Sequence, residues 1–177
     1  LKEYLSSDQS EFIAVYGRRR VGKTFLIQQV IGNNYAFYVA GMNNVSMRIQ
    51  LKNFMQGMRK NGEDIHTADT WLDAFIALED YLDSLSEGNK IVFIDEMPWM
   101  DTPRSNFISG LEHFWNSWAS WRDDIKLIVC GSATSWILNN LIKNRGSLHN
   151  RVTHKIPLKP FALTECRDYF DARQFRM

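Results

Sequence analysis

One octapeptide decides the fold of this 177-residue chain: Gly17-Arg18-Arg19-Arg20-Val21-Gly22-Lys23-Thr24. It matches the pattern G-x-x-x-x-G-K-[ST], and it lies between an apolar run at 12–16, typical of a strand, and a predicted helix at 22–31. Glycines let backbone N–H groups curl around a phosphate, and a helix N-terminus adds positive potential. We therefore predict a phosphate-binding loop, whose ligand-binding residues are Gly17, Arg18, Arg19, Arg20, Val21, Gly22, Lys23, Thr24 and Phe25.

Two side chains of this loop have predicted chemical roles. Lys23 is expected to reach the β- and γ-phosphates of a nucleotide, and the Thr24 hydroxyl is expected to ligate Mg²⁺. The three consecutive arginines could bind an anionic partner. We rather expect them to point outward and to pair with acidic neighbours.

A second motif, Ile91-Val92-Phe93-Ile94-Asp95-Glu96, reads as a buried strand that ends in two carboxylates. Asp95 is predicted to hold the water shell of Mg²⁺ opposite Thr24, and Glu96 to act as the general base on the attacking water. Alone, the pattern also fits a strand that ends in a solvated acidic turn. The adjacent acidic pair favours an ATPase, because a switch GTPase would carry Asp-x-x-Gly where this chain has Asp95-Glu96-Met97-Pro98.

Two further residues are weaker candidates for catalytic roles. Ser132 follows the strand-like run 126–130 and is predicted to face the γ-phosphate, although it also fits a helix-capping cluster. Arg151, preferred over Arg145, is predicted to touch the γ-phosphate in cis or to reach a neighbouring subunit. The alternative for Arg145 and for Arg151 is a solvated arginine on a loop.

The whole chain alternates strand-like and helix-like segments, which predicts an α/β fold with a mostly parallel sheet. Near-continuous apolar runs are typical of strands buried on both faces. The predicted strands are 12–16, 35–40, 91–95, 126–130 and 152–156. The predicted helices are 22–31, 44–60, 71–85, one from Pro103, 135–142 and one from Thr164.

Composition narrows the function classes. The chain is 45% hydrophobic, which is enough for a substantial core, and its net charge of +1 gives no global attraction to nucleic acid or to anionic membranes. No run of about 18 apolar residues exists, so no membrane span is predicted. Cys130 and Cys166 have no zinc-type spacing, and a reduced cytoplasmic compartment is the expected location.

At this point the sequence resembles a family, the prokaryotic, archaeal-type AAA+/STAND-like P-loop ATPases. The resemblance is carried by residues 16–24, by Ile94-Asp95-Glu96-Met97-Pro98-Trp99, by Cys130-Gly131-Ser132-Ala133-Thr134-Ser135 and by residues 146–161. It implies a three-layer α/β/α P-loop NTPase with a parallel five-stranded sheet, order 5-1-4-3-2. It also implies Mg-ATP as ligand.

The resemblance further implies a domain organisation. Residues 1–158 are expected to form the ATPase core, with an N-terminal part missing, and 159–177 to begin a truncated helical lid. Relatives often continue into a winged-helix region, so missing C-terminal domains, self-association or DNA are possible partners besides ATP and ADP. The expected function is ATP hydrolysis that drives conformational change, and the alternative is a slow nucleotide-dependent regulatory switch.

Overall fold

The computed structural model describes residues 1–58, 67–143, 148 and 150–172 of the chain. Five strands form its sheet: β1 (Glu11–Tyr16), β2 (Phe37–Ala40), β3 (Lys90–Asp95), β4 (Ile125–Gly131) and β5 (His154–Pro157). The α-helices are α1 (Lys2–Leu5), α2 (Lys23–Ile31), α3 (Met47–Gln56), α4 (Trp71–Asp83), α5 (Phe107–His113), α6 (Thr134–Ile137) and α7 (Leu163–Ala172). Short 3₁₀ turns occur at Met97–Trp99 and Ala119–Trp121, and π-helical turns at Phe114–Trp118 and Leu138–Ile142.

All neighbouring strands pair in parallel, in the order β2-β3-β4-β1-β5. Read from the other edge this is 5-1-4-3-2, so the predicted three-layer fold and strand order are confirmed. The central pair, β1 with β4, is aligned from Glu11 opposite Lys126 to Tyr16 opposite Gly131. Consequently β1, β3 and β4 end side by side at one edge of the sheet.

The helices divide unequally between the two faces of the sheet. The β1-to-β2 connection crosses the sheet in one direction and the later connections cross in the other, so right-handed crossovers place α2 opposite α3 to α6. On the α2 face, Ile27 and Ile31 pack with Ile13 and Val15. The other face holds the larger core, whose most voluminous fully buried members are Trp71, Phe12, Phe37, Phe54, Phe75, Phe107 and Phe114.

Local chemistry explains where α4 begins, and α3 ends just before a tightly packed glycine. The Thr70 hydroxyl accepts from the backbone N–H of Asp73, and the Asp73 carboxylate accepts from the N–H of Thr70, so the two residues form a capping box. The predicted helix 44–60 is shorter in the structure, because α3 ends at Gln56. Gly57 follows, and a Cβ there would stand 2.8 Å from the Tyr38 carbonyl oxygen. The last two residues of the predicted helix, 59–60, lie outside the described residues.

The helix predicted from Pro103 begins instead at Phe107. Arg104 and Asn106 have left-handed backbones, with φ of 61° and 56°, so the chain turns twice before helical geometry starts. The predicted helix start at Pro103 is therefore wrong, since the N-cap is Asn106. The predicted helix 135–142 is confirmed in place, although only its first turn is α-helical and the rest is a π turn.

A π-helical turn also changes which tryptophans are buried after α5. Trp115, inside that turn, is 3% exposed, whereas Trp121 is 84% exposed. The π turn is followed by a break in helical geometry at Trp118, so apolar burial at regular helical spacing does not continue to Trp121. No helix in the described part of the chain combines the length and apolar character that a membrane crossing needs. The predicted boundary near 158 stays a prediction.

Candidate nucleotide-binding site

The carboxyl ends of β1, β3 and β4 bring the predicted site residues to one edge of the sheet. β1 leads into the loop 17–24, β3 ends at Asp95 with Glu96 following, and β4 is followed by Ser132. Because β4 lies between β3 and β1, Glu96 and the loop flank the β4 tip. Open α/β sheets bind their ligands at such carboxyl edges.

Glycines shape the loop between β1 and α2. Gly22 is the N-cap of α2 with a left-handed φ of 86°, and no atom lies within 4 Å of where its Cβ would be. Gly17 is constrained differently, because a Cβ there would stand 2.2 Å from the carbonyl oxygen of Leu158. The loop is thus seated against the chain that leaves β5.

Lys23 is buried at the centre of this loop, although it carries a charge. Its side-chain Nζ donates to the carbonyl oxygens of Gly17, at 3.1 Å, and of Arg18, at 2.9 Å. Only 5% of the residue is exposed, so the ammonium is directed into the loop. A buried ammonium that is bonded only to neutral carbonyls is well placed to bind an anion.

Thr24 and Asp95 meet although 71 residues separate them. The Thr24 hydroxyl donates to Asp95 Oδ2 at 2.8 Å, and Asp95 Oδ1 accepts from the backbone N–H of Glu96 at 2.8 Å. This donor set, a hydroxyl and a carboxylate, consists of oxygen and therefore fits Mg²⁺, which Thr24 and Asp95 would hold together with phosphate and water oxygens. The described residues contain no group of three or more His, Cys, Asp or Glu side chains that could hold a metal without such help.

The surroundings of Asp95 include two residues that sequence reasoning did not assign to the site. Burial raises the pKa of the Cys130 thiol, and the negative charge of Asp95 raises it further, so Cys130 stays a neutral thiol. Burial and, to a smaller extent, Asp95 also raise the pKa of Tyr38. Both are strand residues, and the register of β2 and β4 against β3 was needed to find them.

Glu96 has an unusual backbone and a bonded side chain. Its φ is 43°, in the left-handed region that costs a non-glycine residue free energy. Its carboxylate oxygen Oε2 accepts from the Ser132 hydroxyl at 3.0 Å and from the Ser132 N–H at 3.4 Å. Ser132 and Glu96 therefore form one unit at the tips of adjacent strands.

The turn Met97–Trp99 that follows Glu96 is packed on both sides. A Cβ on Gly41 would stand 2.4 Å from the Glu96 carbonyl oxygen, and one on Gly131 would stand 2.7 Å from Pro98 Cδ. Gln50, fully buried on α3, donates to the carbonyl oxygens of Trp99, at 2.8 Å, and Met42, at 2.6 Å. Sequence reasoning missed Gly41 and Gln50, although a glutamine on the apolar face of α3 was an available signal.

The three loop arginines do not pair as predicted. Arg18, Arg19 and Arg20 point outward and are exposed, but no carboxylate of the described residues lies within ion-pair distance of them. Arg19 instead lies over the Trp99 ring, 5.6 Å from its centroid, in a cation–π contact. Phe25, also predicted to bind the ligand, is 66% exposed on the first turn of α2.

Arg151 lies near the amino ends of the strands, whereas the loop follows the carboxyl end of β1. Two residues further on, the Thr153 hydroxyl accepts from the backbone N–H of Phe12 at 3.0 Å, near the amino end of β1. From there the strand runs roughly 16 Å to the loop, at about 3.3 Å per residue. Arg151 is exposed and is not brought to the loop of its own chain. Arg145 lies outside the described residues.

Sequence comparisons identify the family of the chain and one curated relative. A family model described as an ATPase domain predominantly from Archaea matches residues 1–175. An uncharacterized protein of Methanocaldococcus jannaschii, MJECL04, is 28% identical over 176 residues, which are 96% of this chain and 36% of that protein. The chain thus spans about a third of the length of this curated relative.

Solved structures share the fold. The Walker-type ATPase PABY2304 of Pyrococcus abyssi has a TM-score of 0.66 at 17% identity, over 99% of this chain and 57% of that one. A chain in the structure of Drosophila ORC bound to DNA has a TM-score of 0.53 at 11% identity, over 89% of this chain and 86% of that one. At these identities the likeness concerns the fold alone.

Proposed function

This chain belongs to the family of ATPase domains found predominantly in Archaea, and from that membership we propose that it binds Mg-ATP and hydrolyses it to ADP and phosphate. The observation that carries the proposal is the 2.8 Å hydrogen bond from Thr24 to Asp95, which joins the helix after the phosphate loop to the end of β3. Two motifs far apart in sequence supply, at one point, the oxygen ligands that a magnesium–phosphate complex needs.

The proposed roles follow from where the side chains lie. Lys23 exchanges its bonds to the Gly17 and Arg18 carbonyls for the β- and γ-phosphate oxygens. Thr24 and Asp95 hold Mg²⁺, which when bound neutralises charge on the phosphates. Glu96 accepts a proton from water while the water oxygen bonds to the γ-phosphorus. The bond to the bridging oxygen breaks, ADP keeps that electron pair, and Glu96 returns the proton to solvent.

Binding is tested by thermal melting. We expect Mg-ATP to raise the melting temperature of the protein and the Lys23→Ala variant to lose that shift, because the buried ammonium is removed. Lys52→Ala, at an exposed lysine on α3, is the matched control and should keep the shift. An equal shift in Lys23→Ala would contradict the proposed loop.

Hydrolysis is tested by phosphate release. Glu96→Gln keeps the shape of the side chain but removes the base, and loss of general-base help costs roughly 10²–10⁴-fold in rate. We expect a fall of this size with Mg-ATP binding retained. Equal rates in both proteins would exclude Glu96 as the base. Tight nucleotide binding with almost no turnover in the unsubstituted protein would instead favour the regulatory switch, which uses the same motifs.

Assembly with other subunits and DNA binding form a second proposal, which concerns any longer protein that contains this chain. The ORC neighbour is described as bound to DNA, and Arg151 is exposed at an edge from which it could reach the site of another subunit. In this chain the net charge of +1 offers DNA no general attraction. DNA affinity of the longer protein that stays constant as salt rises several-fold would contradict phosphate contacts.

A further inference from the structure

We infer that Ser132 acts on ATP hydrolysis through Glu96, as a positioning residue that orients the carboxylate, rather than as a ligand of the γ-phosphate. This inference rests on the proposed function and replaces the phosphate contact predicted from the sequence. It is carried by the two hydrogen bonds between Ser132 and Glu96, by the strand order and by the packing of the Met97–Trp99 turn.

The hydrogen bonds use one carboxylate oxygen and leave the other available. Both the hydroxyl and the backbone N–H of Ser132 point at Oε2 of Glu96. Oε1 has no hydrogen bond to any described residue, so it can accept a proton from a water molecule. A base held through one oxygen by a neighbouring donor has the arrangement expected of an oriented catalytic base.

The strand order determines the direction in which the Glu96 side chain points. β4 lies between β3, which leads into Glu96, and β1, which leads into the phosphate loop. A Glu96 side chain bonded to the residue after β4 therefore leans toward the loop and away from β2. Ser132 holds the base on the side of the sheet edge where Lys23 lies.

The backbone of Glu96 is fixed independently, which leaves only its side-chain torsions to be set. Gly41 and Gly131 allow close contact on the two sides of the turn, and Gln50 bonds the Trp99 carbonyl. Glu96 keeps a left-handed φ of 43° in this packing. Strain of this kind persists only where the surroundings over-determine the backbone. Ser132 then supplies the remaining restraint.

A double-mutant cycle in single-turnover hydrolysis, with enzyme in excess over radiolabelled ATP, tests the inference. We expect Ser132→Ala to lower the hydrolysis rate by roughly 10²-fold, the scale of a misplaced catalytic group, with ATP affinity unchanged. Ser132→Thr, which keeps the hydroxyl, should restore most of the rate. In a Glu96→Ala background, Ser132→Ala should cost nothing further, because the group it orients is gone.

Two outcomes would overturn the inference while leaving the proposed function in place. One is an equal loss from Ser132→Ala in both backgrounds. The other is a loss of affinity for Mg-ATP relative to Mg-ADP, measured by titration even in variants that do not turn over. Either would assign Ser132 to the γ-phosphate. Ser135→Ala, at an exposed hydroxyl three residues on, is the control and should leave rate and affinity unchanged. No hydrolysis by the unsubstituted protein would reject the proposed function itself.

Discussion

The Thr24 hydroxyl and the Asp95 carboxylate lie 2.8 Å apart, and their hydrogen bond joins the first turn of α2 to the end of β3. The carboxyl ends of parallel strands lie at the same side of a sheet. The loop after β1, which leads to Thr24, and the end of β3 are therefore brought close together. Asp95 is only 5% exposed, which shields its charge from bulk water. The pair therefore places a hydroxyl and a carboxylate side by side, where the proposed Mg²⁺ would bind.

Asp95→Asn should separate metal binding from nucleotide binding. The amide keeps an oxygen for Thr24 but removes the negative charge that attracts Mg²⁺. We expect ATP to raise the melting temperature of the variant equally with magnesium and with a chelator, whereas the parent protein should respond more with magnesium. Asp101→Asn, at a carboxylate that accepts from Trp136 Nε1 at 2.9 Å, should behave like the parent. A full magnesium response in Asp95→Asn would contradict the assignment.

Arg20→Gly should stabilise the protein. Arg20 has a left-handed φ of 64°, which costs a non-glycine residue about 1–2 kcal/mol. Glycine removes that strain but gains freedom in the unfolded chain, worth about 0.4–1 kcal/mol. We expect the free energy of unfolding in urea to rise by up to about 1 kcal/mol. Arg18→Gly, where φ is not positive, should lower it instead. A lower stability for Arg20→Gly than for Arg18→Gly would show that the Arg20 side chain stabilises the fold.

Local patterns were sufficient to predict much of this structure. Thr70 and Asp73 are three residues apart and cap their own helix, so the sequence alone contains the interaction. The strands are long apolar runs, and the loop 17–24 has the spacing that its geometry requires. The meeting of Thr24 with Asp95 followed from one further rule, that parallel strands end at a common edge.

Interactions between distant segments were not predictable in the same way. Gln50 bonds Trp99, 49 residues along the chain, and Arg19 lies over the same tryptophan rather than beside a carboxylate. The contact of Arg19 has no local sequence signal, because it depends on how the ends of β1 and β3 are placed in the sheet. Gln50 has a local signal, its place on the apolar face of α3, but its partner Trp99 does not follow from that signal. Trp121 is exposed in a 3₁₀ turn that follows a break in helical geometry at Trp118, and regular periodicity cannot indicate such a break.

Gly41→Ala should lower activity more than its effect on stability explains. The added Cβ would stand 2.4 Å from the Glu96 carbonyl oxygen, and backbone on both sides must move to admit it. A displaced base costs roughly 10²-fold in rate. Gly32→Ala is the matched control: its φ of 58° makes alanine strained, but no atom lies within 4 Å of the new Cβ. It should lower the melting temperature and leave kcat unchanged. Equal kcat values in both variants would show that close packing against Gly41 does not position Glu96.

We expect the ionisation of Glu79 to lower the free energy of unfolding as pH rises toward neutrality. Burial, followed by repulsion from Asp80 and Asp83, raises the pKa of Glu79 from 4.5 to about 7, and His113 Nδ1 lies 3.7 Å from its Oε1. Between these two pKa values the folded protein binds the proton and the unfolded chain does not. The stabilisation is therefore complete below pH 4.5 and is lost as pH rises through 7.

The measurement is the free energy of unfolding in urea from pH 5 to 8. Glu79→Gln keeps a neutral side chain at every pH. Its free energy of unfolding, relative to that of the parent protein, should therefore rise with pH, by at most about 3 kcal/mol for a pKa shift of this size. Glu87→Gln, at an exposed glutamate beyond the end of α4, should follow the parent curve at every pH. Parallel curves for the parent and Glu79→Gln would mean that Glu79 is ionised in the folded protein throughout this range.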